Sequence, residues 1–230
     1  MIARTFSIAT KNCQGGVFII MRDDIIRKYR MFVLDYIKEG DVCAEIGVYR
    51  GLFSKHILER KPSHFYAIDS WEYFPEFNNR CYGKRKGVNQ DHMDNIYEQA
   101  VENIGNNPRV TMHRMKSAQA AKLLPDDHLD FIYIDGNHNF EYVMSDIISF
   151  VPKMKETGII CGDDYKFPRC KRGGAQNAIK ELVKIGYVKL LKVEGNQFVL
   201  KIEDKDMNPL DALDGNYLEK VIEIIHPEVE

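Results

Sequence analysis

One stretch, residues 42–71, limits what this chain can fold into more than any other. It begins with the apolar run Val42–Ile46, breaks at glycines, and continues with apolar residues at helical spacing over Leu52–Glu59. A second apolar run, residues 65–68, ends in Asp69. This order of strand, glycine turn, helix, strand and acidic tip predicts a βαβ unit of the nucleotide-binding kind.

The glycine turn of this unit indicates the class of ligand. Gly47 and Gly51 are four residues apart, Glu45 precedes them, and the third glycine of a dinucleotide fingerprint is missing. A carboxylate beside the turn disfavours a pyrophosphate and favours an amino group, and Asp69 can accept hydrogen bonds from two ribose hydroxyls. The turn therefore resembles an S-adenosylmethionine (SAM) site. The alternative is a βαβ unit whose glycines only turn the chain.

Composition and charge exclude several other classes of protein. The 230 residues suit one large α/β domain, and a net charge of −2 gives no electrostatic footprint for nucleic acid. No apolar run is long enough to span a membrane, and residues 1–20 lack a secretory signal core. The five scattered cysteines contain no CxxC pair, which argues against zinc. Cys43 and Cys161 fall in predicted core strands, so we expect a reducing compartment, the cytoplasm.

The rest of the chain predicts further helices and strands, and three segments. A helix from Asp23 to the glycine at position 40 is predicted to cover the sheet. Further predicted helices span residues 91–104, 118–124, 141–150 and 175–185, and predicted strands span 110–113, 129–134, 159–161, 187–193 and 197–202. The last two strands form a hairpin around Glu194–Asn196. The segments are an N-terminal arm and helix (1–39), a domain (40–203), and an acidic tail (204–230) that docks, swaps or frays, with a helix at 217–225.

A polar, aromatic insertion at residues 72–90 interrupts the domain. It contains a basic cluster of Arg80, Lys84, Arg85 and Lys86. Because it follows the acidic tip of the second strand, it lies on the ligand side of the sheet. We predict a lid or a substrate-contacting loop, and a plain surface excursion is the alternative.

Acidic residues end the fourth and fifth predicted strands. Asp135 ends one and the pair Asp163–Asp164 ends the other. Tips of neighbouring strands lie about 4.8 Å apart, so these carboxylates repel unless they are protonated or a cation neutralises them. Oxygen ligands suit magnesium, manganese or calcium rather than zinc. Since adjacent strand residues point to opposite faces, Asp163 and Asp164 can share one ion only if the chain has left the strand there. The alternative is that Asp164 caps a turn.

Four motifs in order carry a family resemblance: EIGVYRG, IDSW, FIYIDGNHNFEYVMSDI and TGIICGDDY. Over residues 40–202 the chain resembles class I SAM-dependent methyltransferases. More narrowly, it resembles the small-molecule branch that includes macrolide-sugar O-methyltransferases and cephalosporin-hydroxylase-like proteins. The resemblance implies an α/β, Rossmann-like sheet of seven mostly parallel strands with an antiparallel C-terminal hairpin. It also implies methylation of a small hydroxylated acceptor, a sugar or natural-product intermediate, with no nucleic-acid or membrane partner and with homo-oligomerisation left open.

The resemblance also implies roles for individual residues. The cofactor-binding positions are Glu45, Gly47, Gly51, Asp69, Ser70, Trp71, Ser117 and Asp135. The metal ligands are Asp135, Asp163 and Asp164, holding Mg²⁺ or Mn²⁺, and His138 corresponds to the family's proposed base. One departure is that this chain has Asp-Asp where the related pair is often Glu-Asp, so its first acid reaches less far.

Several alternatives stay open. Ser117 lies beside the adenine ring, caps the next helix, or does both. His138 is a general base or a group that orders its loop. No residue identifies the acceptor atom, so N-methylation remains an alternative to O-methylation. The rival functions are a non-catalytic SAM-binding protein and a nicotinamide-dependent oxidoreductase.

Overall fold

The fold is built on one seven-stranded sheet. The structure is a computed structural model, and it describes residues 30–77, 82–83, 87–166 and 173–226. Within these ranges the strand order is β3-β2-β1-β4-β5-β7-β6. The strands are β1 Val42–Ile46, β2 His64–Asp69, β3 Val110–Arg114, β4 Leu129–Ile134, β5 Met154–Gly162, β6 Val188–Glu194 and β7 Gln197–Ile202. The first five are parallel and β7 runs antiparallel to both β5 and β6, which confirms the predicted fold class.

Helices cover both faces of this sheet. They are a 3₁₀ helix Met31–Tyr36, then α1 Leu52–Glu59, α2 Gln90–Ile104, α3 Ser117–Ala121, α4 Phe140–Phe150, α5 Gly174–Lys184, α6 Pro209–Ala212 and α7 Leu218–Ile225. In the described part of the chain, none of them is long and apolar enough to cross a membrane. The helix predicted from Asp23 is described only from Arg30 onward, and there it is a 3₁₀ helix; residues 23–29 lie outside the described ranges.

Strand β5 begins five residues earlier than the sequence predicts. Its pairing with β4 shifts register between Leu129 and Phe131, so a bulge admits extra residues into β5. These are Lys155 to Thr157, which are half-buried or exposed, and they have the polarity of a turn. Polarity alone therefore could not distinguish this bulged strand from a loop.

Two hydrophobic cores lie on opposite faces of the sheet. One contains Ala44 and Ile132 with the apolar faces of α3, α4, α5 and α7. The other contains Cys43 and Phe131 with α1, α2 and the 3₁₀ helix. Adjacent residues of one strand thus enter different cores, which is why β1 and β4 read as almost continuous apolar runs. Cys43 and the other predicted core thiol, Cys161, are both fully buried.

The C-terminal tail docks on the same chain. Tyr217 packs edge-on against Phe140 of α4 with ring centroids 4.7 Å apart. Val221 and Ile225 of α7 are buried in the core that α4 shares. Helix α7 thus packs against α4 within one chain.

Candidate active site

A cavity opens at the edge of the sheet where the parallel strands end. Its volume is about 1180 Å³, above the range of about 300–1,000 Å³ usual for ligand pockets. Four of the predicted cofactor-binding residues line it, Gly47, Asp69, Ser70 and Ser117, and so does Gly136 beside Asp135. The position is the one at which open α/β sheets bind their ligands.

Gly47 brings the tips of β1, β2 and β4 together. Its backbone N–H donates to Ile68 at 2.9 Å, and the N–H of Asp135 donates to Ile46 at 2.8 Å. Its φ is +85°, and a Cβ there would lie 2.2 Å from the carbonyl oxygen of Asp135. Only glycine combines this conformation with so close an approach.

Asp69 ends β2 and is buried in the cavity wall. Its carboxylate accepts the backbone N–H of Tyr49 at 2.9 Å and that of Trp71 at 2.8 Å. It also accepts the hydroxyl of Tyr82 at 2.5 Å. Burial raises the pKa of Asp69. The hydrogen bonds from these donors lower the pKa, and the Tyr82 hydroxyl has the largest such effect. The carboxylate is therefore already arranged to receive hydroxyl donors, as a ribose site requires.

The described part of the predicted insertion reaches the cavity. Phe74, Phe77 and Tyr82 all line it. The basic cluster of the insertion, at positions 80 and 84–86, lies outside the described residues. Sequence reasoning assigned no individual role to Tyr82, because nothing local distinguishes it from the other aromatic residues of the loop.

Four predicted cofactor residues do not line the cavity: Glu45, Gly51 and Trp71 are buried beside it, and Asp135 belongs to the acid group described below. Glu45 is buried, and the hydroxyl of Ser54 donates to it at 2.5 Å. Burial raises the pKa of Glu45 to about 8, and the Ser54 hydroxyl acts in the opposite direction. Gly51 leaves room for the close approach of α2. Trp71 is fully buried, and its indole N–H donates to the carbonyl oxygen of Tyr49 at 2.7 Å.

Ser117 pairs with an acid that sequence reasoning missed. Ser117 is the first residue of α3, after its N-cap Lys116, and its hydroxyl donates to Asp146 of α4 at 2.5 Å. Asp146 is buried and lines the cavity, and burial raises its pKa to about 7 against the effect of the Ser117 hydroxyl. Its spacing, three residues after the inward-facing Val143, places it on the buried face of α4. A lone carboxylate on an apolar helix face was the available indication.

The predicted metal ligands and His138 converge beside the cavity. Strand β5 ends at Gly162 and Asp164 has a φ of +57°, so the chain has left the strand there. His138 Nε2 lies 3.3 Å from Asp164 Oδ2 and 3.6 Å from Asp135 Oδ1. This group of acids lies next to the cavity but does not line it. The residues between Asp135 and His138, Gly136 and Asn137, do line it.

Arg30, which was not predicted for the site, joins Asp135 to Asp163. One terminal nitrogen of its guanidinium donates to Asp135 Oδ2 and the other to Asp163 Oδ2. Burial raises the pKa of Asp135 to about 6, while the charge of Arg30 acts to lower it. Arg30 lies more than a hundred residues from both acids along the chain, so no local motif could indicate it.

The second carboxylate oxygen of Asp163, Oδ1, accepts two hydrogen bonds. The side-chain amide N–H of Gln197 and the backbone N–H of Asp164 both donate to it, the latter at 2.7 Å. The oxygen of the Gln197 amide in turn accepts the Tyr133 hydroxyl at 2.5 Å. Asp163 is thus held in one orientation by the side chains of Arg30 and Gln197 and by the backbone of Asp164.

Comparison of folds places the chain among solved methyltransferase structures. The structure of the O-methyltransferase NovP matches with a TM-score of 0.54 and 20% identity, over 80% of this chain and 81% of that one. The O-methyltransferase TomG from Streptomyces achromogenes, in complex with SAM, gives 0.52 and 11% over 76% and 78%. An O-methyltransferase from Bacillus cereus in complex with SAH gives 0.54 and 12% over 82% and 90%. At these identities the likeness shows the fold.

The family is shown by sequence. No curated protein matches the chain. A family model described as a methyltransferase domain matches residues 44–165, which is more than half of the chain and runs from β1 to just beyond Asp164. The matched segment contains the glycine turn, Asp69, His138 and the acids of β4 and β5. The chain belongs to this methyltransferase-domain family.

Proposed function

We propose that the protein transfers the methyl group of SAM to a hydroxyl of a small molecule, such as a sugar or a natural-product intermediate. The observation that carries the proposal is the cavity bounded by the Gly47 turn and Asp69, with His138 and its acids beside it. Family membership supports methyl transfer. The O-methyltransferases among the similar folds support oxygen as the acceptor atom.

The cofactor side of the cavity fits SAM. Gly47 lines the cavity at the end of β1, and Asp69 already accepts a hydroxyl from Tyr82. A ribose hydroxyl is a donor of the same kind. When bound, SAM supplies a methyl group on a sulfonium, which the acceptor oxygen attacks while the electrons of the broken carbon–sulfur bond return to sulfur.

The protein's own part is to align the acceptor, exclude water and accept a proton. His138 Nε2 is within reach of Asp164 and Asp135. With Nε2–H directed at these carboxylates, the other ring nitrogen, Nδ1, can take the proton of the acceptor hydroxyl as the new carbon–oxygen bond forms, and the two carboxylates stabilise the resulting imidazolium. General-base catalysis of this kind contributes about 10²–10⁴-fold.

Aromatic residues form one wall of the cavity. The rings of Phe74 and Phe77 lie 5.2 Å apart, and Tyr142 meets Phe77 edge-on at 5.6 Å. All three line the cavity, together with the charged residues Glu219, Lys220 and Glu223 of α7. A cavity lined by both aromatic and charged side chains suits a small molecule that carries both a ring and hydroxyl groups.

Metal assistance stays a prediction from the sequence. Carboxylates of three aspartates are the ligand type that Mg²⁺ or Mn²⁺ prefers. In the arrangement described, however, Arg30 holds the facing oxygens of Asp135 and Asp163. Among the residues that the structure describes, no three histidine, cysteine or acidic side chains are grouped to hold an ion. The facing oxygens of Asp135 and Asp163, as placed, are therefore not free to ligate a divalent ion.

Calorimetry with S-adenosylhomocysteine tests the cofactor assignment. Asp69→Ala should lose about 1.5–3 kcal/mol of binding free energy, because hydrogen bonds to a charged acceptor are the stronger kind. Asp126→Ala is the matched control, since its carboxylate pairs only at the surface with Lys153. A folded Asp69→Ala protein that binds as tightly as the parent would contradict the assignment.

Two further measurements separate the rival functions. Thermal stabilisation by NADH and not by S-adenosylhomocysteine would favour a nicotinamide-dependent oxidoreductase. Transfer of labelled methyl groups from SAM to pools of hydroxylated small molecules tests turnover. Cofactor binding without transfer to any pool would favour a non-catalytic SAM-binding protein.

A further inference from the structure

The acid cluster contains a cation supplied by the chain itself. We propose that Arg30 is the resident cation of this site: its guanidinium occupies the position between Asp135 and Asp163 and thereby excludes a divalent ion. The inference deepens the proposed function, on which it rests for assigning the cluster to the acceptor side. It concerns the charge and the geometry of the cluster, which can be measured without turnover.

The charges explain why a cation is needed. Arg30 forms ion pairs with both Asp135 and Asp163. His138 lies between Asp135 and Asp164, within 3.6 Å of a carboxylate oxygen of each. Three carboxylates so arranged repel one another unless they are protonated or neutralised. An arginine side chain is always charged, and its planar fork can bond two carboxylates at once. Arg30 uses its fork in this way, with one nitrogen for each acid.

An ion and Arg30 would need the same oxygens. Magnesium and calcium bind carboxylate oxygens at about 2.0–2.6 Å, so a shared ion must lie between the facing oxygens of Asp135 and Asp163. The guanidinium is bonded to both of these oxygens. At this pair of oxygens, occupancy by Arg30 and occupancy by an ion are therefore mutually exclusive.

Gln197 provides independent support. It presents its amide N–H, not its oxygen, to Asp163, because its oxygen accepts the Tyr133 hydroxyl at 2.5 Å. Both Gln197 and Tyr133 are buried, and Gln197 bonds to Asp163 through its N–H and to Tyr133 through its oxygen. An amide N–H cannot ligate a metal, whereas it bonds well to a carboxylate already paired with arginine.

Arg30 acts in this scheme as a positioning residue. It fixes the carboxylate of Asp135, whose second oxygen lies 3.6 Å from His138. Its guanidinium carbon also lies 5.9 Å from the ring centre of Tyr133, and its side chain is 21% exposed. A permanent positive charge at this point takes the place of the charge that the sequence predicts for Mg²⁺ or Mn²⁺.

Manganese binding to the full-length protein, followed by electron paramagnetic resonance, tests the inference. Arg30→Gln frees the acids, so the variant should bind Mn²⁺ about tenfold or more tightly than the parent. A tenfold gain corresponds to Arg30 occupying the site about nine-tenths of the time in the parent. Arg30→Lys keeps the charge but cannot bond both acids in a fork, and its affinity should lie between the two. Asp135→Asn added to Arg30→Gln should remove the gain.

Arg60→Gln is the matched control, because Arg60 pairs at the surface with the largely exposed Asp35. Its Mn²⁺ affinity should equal that of the parent. Equal affinities in the parent and Arg30→Gln would overturn the inference, and so would a folded Arg30→Gln protein that binds no Mn²⁺. Misfolding cannot mimic the expected gain, since it separates the acids. Binding of S-adenosylhomocysteine to the same samples tests the proposed function separately.

Discussion

Substitution of Gly47 by alanine tests whether the three strand tips meet as described. The new Cβ would lie 2.2 Å from the carbonyl oxygen of Asp135 and 2.7 Å from the amide nitrogen of Gly136. These are backbone atoms, so no side chain can rotate away to relieve the contact. The positive φ of Gly47 costs an alanine about 1–2 kcal/mol, and the forced displacement of β4 adds about 1–3 kcal/mol. We therefore expect Gly47→Ala to lower the free energy of unfolding by about 2–5 kcal/mol.

Gly40→Ala separates these two costs. Gly40 has a similar φ of +92°, but a Cβ there meets no atom within 4 Å. It should lose only about 1–2 kcal/mol, the conformational cost. Urea unfolding without ligand measures both losses, and thermal melting checks them at about 2–4 °C per kcal/mol for a domain of this size. Equal losses in the two variants would refute the close approach of Gly47 to Asp135.

Two further predictions concern the site. His138→Ala should lower kcat by at least about a hundredfold at saturating acceptor while leaving S-adenosylhomocysteine affinity unchanged; a loss within about fivefold would assign His138 to positioning only. Asp146→Asn should stabilise the ligand-free protein at alkaline pH. Burial raises the pKa of Asp146 from 3.8 to about 7, so the folded state binds the proton more tightly and stability falls as pH rises through this interval, by at most about 4 kcal/mol. Urea titrations from pH 5 to pH 8 should show a shallower decline in the variant, and parallel curves would contradict a buried, proton-binding Asp146.

Elements with strong periodicity were predictable from the sequence. The helix predicted at Leu52–Glu59 and the strand predicted at Val42–Ile46 have the bounds that the structure gives them. Each is a short element that is bounded by glycine or polar residues, so the local sequence is enough to predict where it begins and ends. The bulge in β5 and the short helix α6 depend on packing against other elements, and they were missed.

Site residues divide in the same way. Gly47, Asp69 and Asp135 follow strands of one parallel sheet, so their meeting at one edge could be predicted from chain order alone. Arg30, Tyr82 and Asp146 come from a 3₁₀ segment, a loop and the inner face of a helix. Their contacts with the site depend on how those elements pack, and the spacing of residues along the chain does not predict that packing.

The position of Trp71 also gives the molecule a built-in optical probe. It is the single tryptophan of the chain, it is fully buried, and it lies two residues beyond Asp69. Its indole is bonded to Tyr49, whose own N–H donates to the same Asp69 carboxylate. A ligand hydroxyl that bonds to Asp69 therefore changes the surroundings of Tyr49 and of the Trp71 backbone, both of which are next to the indole. Tryptophan emission from the unlabelled protein therefore reports on this one strand tip, with no second indole to obscure it.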